Sequence, residues 1–428
     1  MLQGTSPLKR GQKIAVVGSG VSGLGAAWLL SPHYEVALFE ATGRIGGHAL
    51  TVSVNRNDME IPVDIGFIVF NKVNYPNLTK LFDLLEVPIQ KSNMSFAVSV
   101  NGGEFEYGSS SMGAFFSYPT HFLKPAFWGL LLDILTFYRT ASKDTASDQN
   151  ISVEELIRRR NFGEWFEKYY LLPMSGAIWS TPRSEMLKFP ANLLVKFFEH
   201  HGLLSLTGQH QWWTVSGGSK NYVHKLMAQT KANVRLNAPV QAVKRGPEGI
   251  SVKAKGQEVE TFDHVIFACH SNDALEILKD ANAEEHFVLS SIPYRSNRII
   301  LHQDASLMPK RKACWASWVY LTNTKGDEEQ ASVTYWMNSL QAIPMKTPLF
   351  ATLNPNKTIP EESIFAEHIF EHPQYDHRAV QAHENLPNIQ GRANTWFCGA
   401  WAGMGFHEDG FQSAIKVARM MGVNPPWN

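Results

Sequence analysis

The residues with the clearest chemical promise are Gly18, Ser19, Gly20, Ser22 and Gly23, set between the apolar run Ile14 to Val17 and the small, leucine-rich run Leu24 to Leu30. Glycines at this spacing suit the diphosphate of a dinucleotide. One makes a tight turn, one lets the backbone approach the phosphates, and one lets a helix pack closely on a strand. The helix N-terminus then offers free N–H groups and the positive end of its dipole to the anion. Glu40 stands 22 residues after Gly18, behind the strand-like run Glu35 to Phe39, where a carboxylate takes ribose hydroxyls. Directly after it, Ala41, Arg44, Gly46, Gly47 and His48 place a cation and a flexible glycine pair along the cofactor's extended middle. A nicotinamide site does not need that second clamp, which points to a flavin.

The elements that must position these residues are a buried parallel strand, for which the β-branched run at Ile14 is suited, and a helix packed tightly on it. The whole segment resembles the FAD fingerprint of the flavin amine oxidase and phytoene desaturase superfamily, which continues as Arg-x-Gly-Gly-Arg; here His48 takes the last place. Pro62 to Phe67 resembles that superfamily's Asp-x-Gly strand beside the isoalloxazine, implying contacts at Gly66 and Phe67. Asn233 to Cys269 resembles its central FAD-binding portion, implying contacts at Val240, near the adenine, and at Ala268. Trp396 to Ala400 and Gly405 to Phe411 resemble its closing motif, implying contacts at Gly399, Glu408, Asp409, Gly410 and Phe411.

A narrower resemblance rests on Phe67 to Asn71, Leu171 to Met174, Ala177 to Pro182, Thr334 to Asn338 and Gly405 to Gly410. It is to mostly bacterial FAD-dependent oxidoreductases encoded beside cyclopropane-fatty-acid synthases. The implied fold is α/β, a Rossmann-type FAD-binding domain interleaved with an α+β substrate domain. The first takes residues 1–95, 212–272 and 391–428. The second takes 96–211, mainly helical, and 273–390.

Within the second domain, Pro125 suits the first position of a helix whose Phe127, Leu130, Leu131, Ile134, Leu135 and Tyr138 follow a helical period. Its polar stripe is so narrow that it must be buried or lie on a membrane surface, and the lack of a strongly charged face favours burial. Thr140 to Asn150 is polar and reads as a mobile loop, and residues 1 to 12 as a loose lead-in. Ser152-Val-Glu-Glu155 is a capping box. Strand-like runs occur at Arg298 to His302, Ala316 to Leu321, Val333 to Met337 and Ser363 to Phe370. Asp409, three residues before Gln412, reads as the cap of a closing helix from Phe411 to Met421 aimed at the flavin pyrimidine, where its dipole stabilises negative charge.

Composition narrows the classes. Lys plus Arg and Asp plus Glu number 39 each, without the basic excess of a nucleic-acid binder. Three separated cysteines, Cys269, Cys314 and Cys398, indicate no disulfide framework. Lys9-Arg10 before an apolar run imitates a signal peptide, but the glycine fingerprint occupies that run. A cytoplasmic location is expected, with peripheral contact at the inner membrane surface left open. His368-Ile-Phe-Glu-His372 matches a zinc-protease pattern, yet Pro373 follows at once and the segment reads as a strand, so no metal is expected.

The catalytic residues are not identified from the sequence, because a flavin carries the hard chemistry itself. His407 is the candidate for moving a proton, and the alternative is that His407 packs, Glu408 binds structurally and Asp409 caps. Three functions compete. The first is oxidation or desaturation of a fatty-acyl or other lipid substrate, an assignment that comes mainly from the narrower resemblance. The second is oxidation of a small or lipophilic amine. Against it, Asn297 to Ile300, where many amine oxidases place a lysine near the flavin, has none. The third is a non-catalytic flavoprotein partner of an acyl-lipid methyltransferase or cyclopropane-fatty-acid synthase.

Overall fold

The structure, a computed structural model, describes residues 11–56, 59–109, 111–117, 121, 123–148, 150–205, 208–323, 330–343 and 346–427. The expected lead-in at 1 to 12 lies outside them except for its last two residues. In chain order the strands begin β1 (Lys13–Val17), β2 (Glu35–Phe39), β3 (Thr51–Arg56), β4 (Met59–Asp64), β5 (Phe70–Asn71), β6 (Ile89–Ser92), β7 (Phe96–Val100) and β8 (Phe105–Gly108). They continue β9 (Trp212–Val215), β10 (Asn233–Arg235), β11 (Val240–Gly246), β12 (Gly249–Ala254), β13 (Glu260–Phe262) and β14 (His264–Phe267). The last are β15 (Tyr294–His302), β16 (Trp318–Asn323), β17 (Gln330–Trp336), β18 (Phe350–Leu353), β19 (Ile364–Pro373) and β20 (Thr395–Phe397). Among the helices are α1 (Val21–Leu30), α2 (Pro76–Leu84), α3 (Pro125–Ser147), α4 (Val153–Arg160), α5 (Leu172–Trp179), α6 (Ala191–His200), α7 (Lys220–Gln229), α8 (His377–Ile389) and α9 (His407–Met420).

Two sheets organise the molecule. The first runs β10-β2-β1-β14-β20, all parallel, so three remote stretches of chain meet in it. Both faces are covered, and Ile14, Ala15, Val16, Val265, Ile266 and Phe267 are fully buried, as an uninterrupted apolar run in a parallel strand requires. The second runs β19-β15-β18-β17-β16-β7-β8 and is antiparallel except where β16 meets β7. α5 packs against β16, and α3 against α6, so helices and sheet share one core.

Several expectations need correction. Thr140 to Ser147 is not a loop but the end of α3. Ala141 and Thr145, one turn apart, continue its buried face, Thr145 Oγ1 bonds the Ala141 carbonyl at 3.0 Å, and Asp144 pairs with Arg160 of α4. Burial of α3 holds for one face only, since Phe127, Leu130, Ile134 and Phe137 are inside while Trp128 and Leu132 stay exposed. β18 had no sequence signal strong enough to mark it. The closing helix starts at His407, four residues before Phe411, because Asp409 sits inside the first turn and reaches back to its start. β19 is a strand through His368 and His372, whose positions therefore lie about 13 Å apart along it. No metal-ligand cluster occurs among the described residues, and no helix among them is long and apolar enough to cross a membrane.

Candidate functional site: a cavity between the two sheets

A cavity of about 870 Å³ runs from the C-terminal ends of β1, β2 and β14 to the face of the second sheet. It lies where open α/β sheets bind nucleotides and is large for a small-molecule site. Gly18, Ser19, Gly20, Ser22, Glu40 and Ala41 line its nucleotide end, together with Val240. Gly47, His48, Gly66, Phe67, Ala268 and Gly399 line its middle, and His407 stands beside them. The three glycines of the fingerprint divide the work by geometry. Gly18 has φ +101° and would place a Cβ 2.8 Å from the Ala268 carbonyl oxygen, so only glycine turns there. A Cβ on Gly20 would meet nothing within 4 Å and would project into open space. On Gly23 it would stand 1.8 Å from the Gly18 oxygen, which makes Gly23 the contact between helix and turn, away from the cavity wall.

Glu40 is held in place at both oxygens. Oε2 accepts from Ser19 N at 3.2 Å and Ser19 Oγ at 2.5 Å, and Oε1 from Thr42 N and Oγ1, both at 2.8 Å. A carboxylate fixed at the end of β2, with first-turn N–H groups of α1 opening on the same space, fits the ribose and diphosphate of a dinucleotide.

Other candidates serve this wall from behind. Arg44 does not face the cavity. Its guanidinium donates to the carbonyls of Gly47 at 2.7 Å and of Ile45 and Ala49 at 3.2 Å, pinning the Gly46-Gly47 loop that the sequence suggested it would accompany along the diphosphate. Burial lowers its pKa, partly opposed by Glu40. Gly46 lies behind the wall with it. Glu408, placed beside the flavin by the sequence, instead accepts from Asn77 N and Nδ2 and Leu78 N at 2.7–3.0 Å, capping α2. Asp409 accepts from Met404 N and Phe406 N, both at 3.0 Å. Gly410 and Phe411 pack on α1, where a Cβ on Gly410 would meet Val21 and one on Gly25 would meet the Phe411 ring. Asp64 of the Asp-x-Gly strand is fully buried and accepts from Ser219 N and Oγ, Thr51 Oγ1 and Gln341 Nε2. Burial pushes its carboxyl up to about 6 despite those bonds.

His407 is at the wall, but Nε2 is hydrogen-bonded to Tyr222 Oη at 2.5 Å and the ring stacks on Phe67 at 3.9 Å. Burial brings its pKa down to about 3, so the imidazole is neutral.

A substrate cavity against the second sheet and its helices is what the strand-like runs and the aromatic helical stretch of the sequence suggest, but they do not say which side chains line it. Phe96, Ile299, Trp318, Tyr335 and Leu353 of the second sheet face Met174, Ile178 and Phe197 of α5 and α6 across the cavity. His270, Phe370 and His372 join His48 on another side. Only the period-two pattern of the strands could have hinted at these positions.

A family model described as flavin-containing amine oxidoreductase matches residues 21–312. Flavin-containing amine oxidase A of Bos taurus is 25% identical over 288 residues, 62% of this chain and 51% of that protein, so the chain spans about half the length of the curated relatives it matches. A redesigned putrescine oxidase superposes with a TM-score of 0.69 at 15% identity, covering 96% of this chain and 99% of the other. A CLA-producing fatty acid isomerase from P. acnes superposes with a TM-score of 0.65 at 13% identity, with the same coverage. These two likenesses establish a shared fold. The family match spans over half of the sequence, starting just after Gly20 and running through Glu40, the Gly46-Gly47 loop, Gly66 and β14, so the chain belongs to the flavin-containing amine oxidoreductase family, and its cofactor is FAD.

Proposed function

We propose that this protein is an FAD-dependent oxidoreductase that oxidises an apolar acyl-chain substrate. The observation that carries this reading is the far wall of the cavity, built from Phe96, Met174, Ile178, Phe197, Trp318 and Leu353, with no lysine or arginine anywhere on the lining among the described residues. Such a wall desolvates hydrocarbon at a gain of roughly 25 cal/mol per Å² and offers no cation to a free carboxylate, which favours an ester or thioester over a free acid. Bound FAD supplies a two-electron acceptor. The substrate would lose a hydride to that acceptor and a proton ultimately to solvent from adjacent carbons, leaving a carbon–carbon double bond; with a proton taken back up on the reduced cofactor, two hydrogens leave the substrate for each FAD reduced. The chain's own part is to hold the acyl segment against the flavin and to keep water out. The fatty acid isomerase of similar fold is consistent with a lipid occupant.

A second reading is an amine substrate, favoured by three carboxylates on the lining besides Glu40, namely Asp273, Glu276 and Glu371, and by the amine oxidases among the similar proteins. Anaerobic mixing with an acyl ester and, separately, with a lipophilic amine decides between them. Bleaching of the flavin absorbance by the ester supports the first reading, and bleaching by the amine alone replaces it. Absence of bleaching by either, with tight binding to a cyclopropane-fatty-acid synthase, makes the protein a non-catalytic partner.

A further inference from the structure

We propose that His372 is a fixed hydrogen-bond donor on the cavity wall, presenting Nε2–H to an uncharged carbonyl oxygen of a bound molecule. A chain of amides settles which nitrogen carries the proton. Arg298 N–H donates to Asn354 Oδ1 at 3.0 Å, which fixes that amide. Asn354 Nδ2 then donates to Asn297 Oδ1 at 2.7 Å, which fixes the next. Asn297 must therefore turn Nδ2 toward His372 Nδ1, 3.0 Å away, and toward the Arg295 carbonyl at 3.1 Å. An amide nitrogen only donates, so His372 Nδ1 is the acceptor and the ring proton sits on Nε2. Asn297 is fully buried and has no solvent with which to exchange partners.

The ring is also held sterically. His48 stacks on Phe370 at 4.6 Å, and His372 lies 5.6 Å from His48 and nearly parallel to Phe370. Among the described residues no protein acceptor pairs with its Nε2, and the residue lines the cavity. By contrast His302, on the neighbouring β15, has both ring nitrogens engaged, by Thr352 Oγ1 and Asp304 N. Protonating His372 would break the Asn297 bond, in keeping with a pKa brought down to about 4 by burial and the neighbouring His270. Glu371 and Asp273 share the lining, which disfavours an anionic acceptor and favours a carbonyl. Two sources offer one: the isoalloxazine, and the ester of an acyl substrate. Only the second rests on the function proposed above.

The test uses the full chain. Histidine-selective ¹⁵N NMR of the FAD-loaded protein at pH 7, assigned by loss of one signal in His372→Gln, should show the Nε2–H tautomer. His372→Phe keeps the flat ring and removes the donor, while His372→Gln keeps an N–H. FAD affinity of the apoprotein is read by flavin fluorescence quenching. Binding of methyl oleate to the loaded protein is read by the flavin spectrum. His372→Phe should weaken one of the two about tenfold, with His372→Gln recovering most of the loss. A loss in FAD affinity assigns the isoalloxazine oxygen, even if the wild type ignores methyl oleate, an outcome that counts against the acyl reading alone. A loss only with methyl oleate assigns the substrate oxygen. An Nδ1–H tautomer or an imidazolium at pH 7 overturns the proposal. Unchanged affinities in His372→Phe do the same.

Discussion

The two ends of the cavity are built by different means. The nucleotide end is backbone: a turn at Gly18, open N–H groups of α1, and one carboxylate, Glu40, held by four donors from its immediate surroundings. The far end is side chain, contributed one to three at a time by β7, β15, β16, β17, β18, α5 and α6. A backbone site tolerates little change at its glycines because its shape is the chain path itself. A side-chain site keeps its scaffold while its contents vary, which is how one fold hosts both a putrescine oxidase and a fatty acid isomerase.

That contrast can be broken in four ways. Gly20→Val fills the open space beside α1 without a protein clash, so FAD affinity should fall at least about a hundredfold, roughly 3 kcal/mol, while the melting temperature of the apoprotein stays put. Equal loss of apoprotein stability would mean that Gly20 is structural, as Gly23 is. Next is acid. Burial brings His302 down to about 4, so below about 6.5 the unfolded chain takes up a proton that the folded ring refuses. Stability is therefore complete above 6.5 and declines as pH falls toward 4, with His302 contributing on the order of 3 kcal/mol of the loss. Circular dichroism of acid unfolding should show a shallower decline in His302→Gln; an identical curve would refute the assignment. Ile178→Asp should then cost about 2 kcal/mol of acyl-ester binding and leave bound flavin stoichiometric, and flavin loss would show that the two ends are not separable. The smallest effect is expected from Glu40→Ala, about tenfold in FAD affinity by fluorescence titration, because phosphate contacts persist without it.

The same contrast explains what the sequence disclosed. The glycine turn, the buried strand at Ile14 and the acid closing β2 were legible because each is a requirement on neighbouring residues. Arg44 was assigned to the cofactor because it follows the acid along the chain, and Glu408 and Asp409 because the closing motif resembles a flavin-binding one, although the alternative that Glu408 binds structurally and Asp409 caps is what the structure shows. Their side chains have three-dimensional addresses, the Gly47 carbonyl, the Asn77 amide and the Phe406 amide, and only the first and last are local. The end of α3 was misread because Thr145 and Asp144 look like loop residues until Ala141 and Arg160 supply their partners. For the far wall, a cavity between sheet and helices was legible but its individual lining residues were not, since no two of its strands need to announce that they face the same space.

Glu408 grips Asn77 and Leu78 across more than three hundred residues of sequence, and β20 and α9 close the first sheet and its covering helix. During synthesis, then, the nucleotide half cannot finish until α9 has left the ribosome. The growing polypeptide must carry its glycine turn unfinished while both parts of the second sheet are made, and loading with flavin has to wait for β20 and α9 to dock.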